Sequence, residues 1–453
     1  MADKRYTITV ITGTRRFADT RAKVYITVNG TLGSSPETQL EGEFGLGSTR
    51  EFTFEFPDLG SLKTVDVRQD DSGTAPAWFL GKILVKDNTT NATWVFPADE
   101  WLSDTATHTL VGELMQSGGT IYYSADQIHA LNSDPTGTVT DVSDVVVTTS
   151  YVYALTLSGA WFVKAGADAV NPYRQISGVP KVDSVWGGTA SDYGYAISGG
   201  KVYGAAANTD GFEVSDASGV ISLATTGGRT FALDSQGHVY RILDGEKAFH
   251  QVMLGTDPTT PLSDVTAIDG NQGGGYGWAI AGTDIYFMLD NNLAYLSTTT
   301  EKKPSNPVFL SIGASWAYVL DEDGSVWSHY AAAPGDWTRL VGLPGKATFL
   351  TSQLGTDYVW AMSEGAPYWA YYTNGFASAN AGSLAGSITQ LWVGANYAYV
   401  RTKAGQWWRS NQPSTTAQWG QITGTPRNTV HKIATNWGNF AWAIADRDIA
   451  DPA

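Results

Sequence analysis

Apolar and polar positions alternate through the first 115 residues. Tyr6-Thr-Ile-Thr-Val10, Lys23-Val-Tyr-Ile-Thr-Val28 and Phe52-Thr-Phe-Glu-Phe56 each repeat with period two. That period turns one face of a strand to a core and the other to water. Gly, Pro, Asn and Asp cluster where turns belong, as in Phe56-Pro-Asp-Leu-Gly60 and Asp87-Asn-Thr-Thr-Asn91. The pattern predicts an all-β sandwich over residues 1–115.

Beyond residue 115 a longer period takes over. An aromatic, then Ala or Val, then mostly Leu, Ile or Met, recurs at Tyr153, Tyr195, Phe231, Trp278, Tyr318, Trp360, Tyr399 and Trp442. Successive spacings are 42, 36, 47, 40, 42, 39 and 43 residues. In most copies a Gly and a further aromatic follow, as in Phe231 with Gly237 and Tyr240. Strand, Gly turn and second strand make a hairpin, and two more strands fill the period. A four-stranded unit of this length is one propeller blade, which buries both faces only by stacking in a ring.

The ends of the array predict how the ring closes. The eighth copy, Trp442-Ala-Ile-Ala, stops before any Gly-x-Val-Tyr strand, whereas Gly119-Thr-Ile-Tyr122 has the form of Gly237-His-Val-Tyr240. The first strands after residue 115 should therefore complete the last blade, with Gln127–Leu131 as its outermost strand. That predicts a β-propeller over 116–453 with eight blades, one of them composite; seven is the alternative, because the fourth and sixth copies are irregular.

Two resemblances add to this. The order TITVITG, AKVYITVNGTLGSS, FEFPDLGSLKTVDVRQDDSGTAPAWFLGKILV and WVFPADEWL over residues 5–103 resembles a PLAT domain. That is the β-sandwich of lipoxygenases, pancreatic lipases, polycystins and clostridial α-toxin. The resemblance implies a membrane-facing or protein-docking module, often aided by calcium held on loop carboxylates. Here Asp19, Asp70 and Asp71 are the candidate ligands. Yet Asp19-Thr-Arg-Ala-Lys23 sets Arg21 and Lys23 where oxygens are expected, and a cation in the ligand shell repels calcium. In the second part, Tyr173-Arg-Gln-Ile-Ser-Gly-Val-Pro180, Trp337-Thr-Arg-Leu-Val-Gly-Leu-Pro344 and Trp419-Gly-Gln-Ile-Thr-Gly-Thr-Pro426 share one motif. It resembles the tectonin repeat, which implies a sugar-binding lectin; the hairpin is also similar to the regulator-of-chromosome-condensation repeat.

Composition narrows the function. The 453 residues carry 28 Lys+Arg against 44 Asp+Glu, a net charge of −16. Nucleic-acid binders neutralise phosphate with clustered cations, so no nucleic-acid partner is expected. Arg15, Arg16, Arg21 and Lys23 form the one basic cluster, a candidate contact for anionic lipid or an acidic glycan. There is no cysteine, which excludes disulfides, thiolate metal sites and cysteine catalysis. No run of 18 apolar residues occurs, and the N-terminus lacks a signal-peptide core. Synthesis in a cytoplasm is expected, with release by a non-classical route as an option.

Two residues before the repeated aromatic stands a second aromatic: Tyr151, Tyr193, Tyr276, Trp316, Tyr358, Tyr397 and Phe440, with Arg229 in the third copy. Spacing of two puts both on one face of a strand. These rings are either packing between blades or the walls of sugar pockets, where C–H faces stack on aromatics. The six histidines share no repeated position and no metal-binding spacing. The sequence therefore points to a non-enzymatic recognition protein without a resident cofactor. Its propeller would bind cell-surface glycans and its sandwich would dock to lipid or a partner protein, as in a defence or toxin-like factor. A protein-interaction scaffold without sugar sites and a propeller enzyme are the alternatives.

Overall fold

The structure is a computed structural model. It describes all residues except 1–2, 13–19, 43, 46–47, 73–77, 91, 103–104, 116–119, 125–131, 134–138, 141, 157, 166–171, 189–191, 207–208, 271–273, 290–291, 299, 331–333, 354, 403–405, 412–414, 416–417, 423–429, 436–440 and 446–453. The chain divides into two compact units, Met1–Ser117 and Gly118–Ala453.

The first unit is a sandwich of two antiparallel sheets. One has the order Glu113–Met115, Thr93–Leu102, Trp78–Asp87, Lys4–Thr12, Thr49–Phe56. The other runs Gly33–Ser34, Val24–Gly30, Leu62–Gln69, His108–Val111, with Thr38–Leu40 also paired to Val24–Gly30. The alternation read from sequence is the burial pattern: Tyr6, Ile8 and Val10 are buried, and Thr7, Thr9 and Ile11 less so. Two polar groups that enter this core find partners there. The Trp78 indole donates to Thr12 Oγ1 at 3.1 Å, and the Leu59 amide donates to the Tyr6 hydroxyl at 3.1 Å.

The second unit is the β-propeller. Among the described residues its strands form eight sheets, seven of four strands and one of six. The inner strands are Val142–Val147, Ser184–Gly187, Val220–Thr225, Val265–Gly270, Pro307–Ile312, Ala347–Ser352, Ile388–Val393 and Val430–Thr435. Each packs against the next, and the last packs against the first, so the ring is closed. Seven of the eight inner strands slip register after their first residue, for example between Val265 and Ala267 or Pro307 and Phe309. A bulge at one repeated place bends each inner strand alike, which suits a ring of like blades.

The eighth blade is composite. Val430–Thr435 pairs with Ala441–Ala445, which pairs in turn with Thr120–Ser124 from the beginning of the unit. Its outer strand is Asn132–Ser133, just past the expected Gln127–Leu131, of which residues 127–131 lie outside the described residues. The fourth blade explains its long spacing. Met253–Leu254 and Asp257–Pro261 add two strands to its outer edge, the first running parallel to Leu293–Leu296. That leaves an edge carrying Pro258 and Pro261, which blunts further pairing.

The repeated motifs are seam chemistry. The Tyr153 hydroxyl donates to the Asp192 carbonyl of the next blade at 2.8 Å, and the Tyr195 hydroxyl to Asp244 Oδ1 at 3.0 Å. Burial pushes both phenols well above their ordinary range, so they stay protonated donors. Trp337 and Trp419 reach back one blade: their indoles donate to Ser297 Oγ at 3.0 Å and to the Ala379 carbonyl at 2.9 Å. The next blade yields room with glycine, since a Cβ at Gly194 or Gly277 would stand 2.5 or 2.6 Å from the Tyr153 or Phe231 ring. Gly277→Ala is expected to cost about 1–3 kcal/mol by overpacking this seam. Chemical denaturation measures it, and an unchanged midpoint would show that the ring can shift aside.

Candidate functional site

The second strand of each blade starts where the third strand ends. Tyr151 pairs with Ala165, Arg229 with Leu243, Trp316 with Tyr330, Tyr358 with Tyr371 and Tyr397 with Asn411. Because the blades share one strand order, all these positions lie at one end of the ring. The aromatics two places later point into the seams and are buried, Tyr153, Phe231, Trp278, Tyr318 and Trp360 fully so. Among the described residues the outer set, Tyr397 apart, is more open and stands at the seam mouths.

The members of this set are not equivalent. Tyr151, Tyr193, Trp316 and Tyr358 are half-buried and Tyr276 is 38% exposed. Tyr193 stacks on Tyr195 at 6.4 Å, and its hydroxyl would lie 3.2 Å from a Cβ on Gly245 of the following blade. Arg229 makes the same reach with a cation, donating through Nη1 to the Gly275 carbonyl at 2.9 Å. Tyr397 is only 7% exposed and lies under the Arg409 guanidinium at 4.4 Å, so it is packing rather than a pocket wall. Phe440 lies outside the described residues.

Three aromatics that the repeat did not mark join the set at the fifth and sixth blades. Tyr330 packs edge-on to Trp316 at 5.8 Å, and Tyr372 of the next blade lies 5.3 Å from Trp316. Tyr371 lies 4.6 Å from Tyr358 and its hydroxyl donates to that of Tyr372. Hairpin register could have revealed Tyr330 and Tyr371, since each pairs with a marked aromatic. Asp357 underpins the patch: its carboxyl accepts the Trp316 amide at 3.0 Å as well as that of Ser315. Its burial pushes that carboxyl upward against these bonds. Hydrogen bonding to Tyr372 and burial together push the Tyr371 phenol up to about 12.

In the sandwich, the metal candidate Asp70 is engaged by the chain itself. Asp70 Oδ1 accepts the amides of Lys23 at 3.0 Å and Ser72 at 3.1 Å, together with the Ser72 hydroxyl. These bonds, led by Ser72, hold its carboxyl below the usual range. Asp71 adopts a left-handed conformation with φ 58° and is exposed, as a tight turn asks. Arg21 and Lys23 are exposed. Asp19, Arg15 and Arg16 lie outside the described residues. Among the described residues, no three His, Asp or Glu side chains come together as a metal site. Calcium titrated into the protein is expected to show no site tighter than about millimolar, the weak end of extracellular modules. A micromolar heat signature in calorimetry would show that Asp19, Asp70 and Asp71 converge on the ion.

The histidines offer no shared constellation among the described residues. His238 Nδ1 lies 3.1 Å from Asp234 Oδ2, and His250 Nε2 lies 3.8 Å from Glu246. His329 is buried between Trp278 and Trp337, at ring distances of 5.9 and 4.9 Å. That burial lowers its pKa and keeps it neutral.

Residues 6–111 match the family model of the PLAT/LH2 domain. Over 102 residues the chain is 36% identical to lipoxygenase homology domain-containing protein 1 of Mus musculus, covering 22% of this chain and 5% of that protein. It is 35% identical over 103 residues to the polycystin family receptor for egg jelly of Mus musculus, again 22% and 5%. The chain thus spans about a twentieth of the length of these relatives. Among solved structures, coral 8R-lipoxygenase is similar at 24% identity and TM-score 0.23, over 26% of this chain and 17% of that one. Prp20p of Saccharomyces cerevisiae is similar at 11% identity and TM-score 0.46, over 74% and 93%. The N-terminal unit is a PLAT domain; the tectonin resemblance of the propeller has no counterpart in these matches.

Proposed function

We propose that this is a non-enzymatic recognition protein. Its propeller binds glycans at several seam mouths on one end of the ring, and its PLAT domain docks to a membrane or a partner protein. One observation supports the glycan reading above all: aromatic rings recur at one repeat phase, and five of the seven, Tyr151, Tyr193, Tyr276, Trp316 and Tyr358, are half-open rather than buried. Each mouth is a weak site, because a sugar exchanges one set of hydrogen bonds for another. Linked sites raise avidity over a single one by about 10²–10⁴ when a surface presents matching spacing.

The test is adhesion to a dense glycan surface. The wild type is expected to bind and to be displaced by free monosaccharide only at high concentration. The triple variant Tyr151→Ala, Tyr276→Ala, Trp316→Ala is expected to lose adhesion while melting cooperatively. A folded triple variant that still adheres at full strength would return these rings to packing and favour a protein-interaction scaffold. The docking role of the PLAT domain rests on its family, and vesicle flotation with and without anionic lipid tests the lipid arm of it.

A further inference from the structure

We infer that the seam between the fifth and sixth blades is the principal ligand site at this end of the ring, and that it takes the apolar face of an uncharged pyranose. The inference rests on the glycan reading above and gives it an address and a ligand class. The first support is the continuity of the patch. Tyr330, Trp316 and Tyr372 form a chain at 5.8 and 5.3 Å that crosses the seam, and Tyr358 and Tyr371 adjoin it at 4.6 Å. The third strand ends on Ala165, Ala205, Leu243, Met288, Asn411 and Ser124 in six blades, and on an aromatic only in the fifth and sixth. Tyr330, one of those two, is 51% exposed, so packing does not require its ring.

The second support is the backbone at Tyr372. Its φ is 55°, the left-handed region that a bulky aromatic enters only under strain. Among the described residues, the other non-glycine ones found there are Asp71, Asp216, Asp264, Asn292, Glu364 and Asn380, mostly the short Asp and Asn that tolerate it. Glycine would make the turn without strain. What the tyrosine adds is a half-exposed ring set against Trp316 of the neighbouring blade. Strain of this kind persists at binding sites because it fixes the geometry of the site in advance.

Charge selects the ligand class. The carboxyl of Asp357 accepts the backbone amide of Trp316, which brings a buried acid to this seam. Among the described residues the cations that stack on rings do so elsewhere, on Tyr25, Tyr173, Phe212 and Tyr397. A sialylated or uronic sugar would bring its carboxylate against negative ring faces and a buried acid. A neutral pyranose instead lays C–H groups on the rings and offers hydroxyls to the tyrosine oxygens.

The experiment is a solution titration of the full chain, followed by NMR of the sugar, with monovalent neutral, sialylated and amino-terminated oligosaccharides. The wild type is expected to broaden neutral sugars selectively. Tyr330→Ala and Tyr372→Gly should each weaken that binding at least tenfold, with Tyr372→Gly melting no lower than wild type. Tyr25→Ala, a ring of the sandwich on the strand Val24–Gly30, should leave it within twofold. Three results would overturn the inference. If Tyr151→Ala and Tyr276→Ala weaken binding as much as the seam variants do, the sites are equal and only the address fails. If sialylated sugars bind best, or tetramethylammonium competes fully, the ligand class fails. If the wild type binds no sugar in solution or on a dense surface, the glycan reading fails and takes this site with it.

Discussion

A chain ending at Ile433 is expected to lose the cooperative melting of the propeller. The strand Ala441–Ala445 pairs on one side with Val430–Thr435 and on the other with Thr120–Ser124. Removing it deletes the centre of the composite blade, so the strands on either side lose their shared partner and bare their edges. It also removes the hydrogen-bonded pairing that holds both ends of the unit in a single sheet. The remaining seven blades keep their own sheets but no longer close, and each seam next to the gap exposes apolar surface such as Ile121, Val145 and Ile433. We expect a melting temperature at least about 10 °C lower, or a broad transition, since a loss of several kcal/mol moves a large unit by a few degrees each. Calorimetry of the truncated and full chains measures it. An unchanged sharp transition would mean that the eighth blade is an ornament on a ring closed by other contacts.

That closure is legible in the sequence because repeats write the same physics several times. A single Gly119-Thr-Ile-Tyr122 is uninformative; next to Gly237-His-Val-Tyr240 it is a third strand that has lost its second. The sandwich was legible for a different reason, as period-two alternation in Lys4–Thr12 or Val24–Gly30 survives into burial directly. What sequence could not separate were the roles of the seven outer aromatics. Tyr276 and Tyr397 share a repeat phase, yet one is open and the other lies under Arg409. The difference comes from the residue opposite in the hairpin and from the next blade, neither of which the phase of the repeat specifies. Tyr372 was hidden for the same reason: a left-handed turn residue belongs to no strand pattern, and its partner Trp316 is in another blade.

Raising the pH from about 5 to 8 is expected to weaken the seam between the fourth and fifth blades through one buried carboxyl, Asp269. It stands on the inner strand Val265–Gly270, where the equivalent residue of the next blade is Ser311. Ser311 Oγ accepts the amide of Ser352 at 2.7 Å across one seam, and Asp269 Oδ2 accepts the amide of Ile312 at 2.9 Å across the preceding one. A hydroxyl does this task without charge. The carboxylate must do it deep in the protein, and desolvation raises its pKa to about 7 although the Gly270 and Ile312 amides pull the other way. The folded state therefore holds a proton that the unfolded chain has released above about pH 4. Stability is fully retained below that point, falls as pH rises through 7, and is level beyond; the ceiling is on the order of 4 kcal/mol. His329, lowered by burial near the same seam, acts oppositely, removing stability as pH falls below its ordinary value near 6.5. The two are separated by Asp269→Asn, which keeps an oxygen for Ile312 and cannot ionise. Urea unfolding of both proteins across this range is expected to show the variant gaining on the wild type as pH rises. Parallel curves would mean that Asp269 stays ionised throughout and is solvated well enough to need no proton.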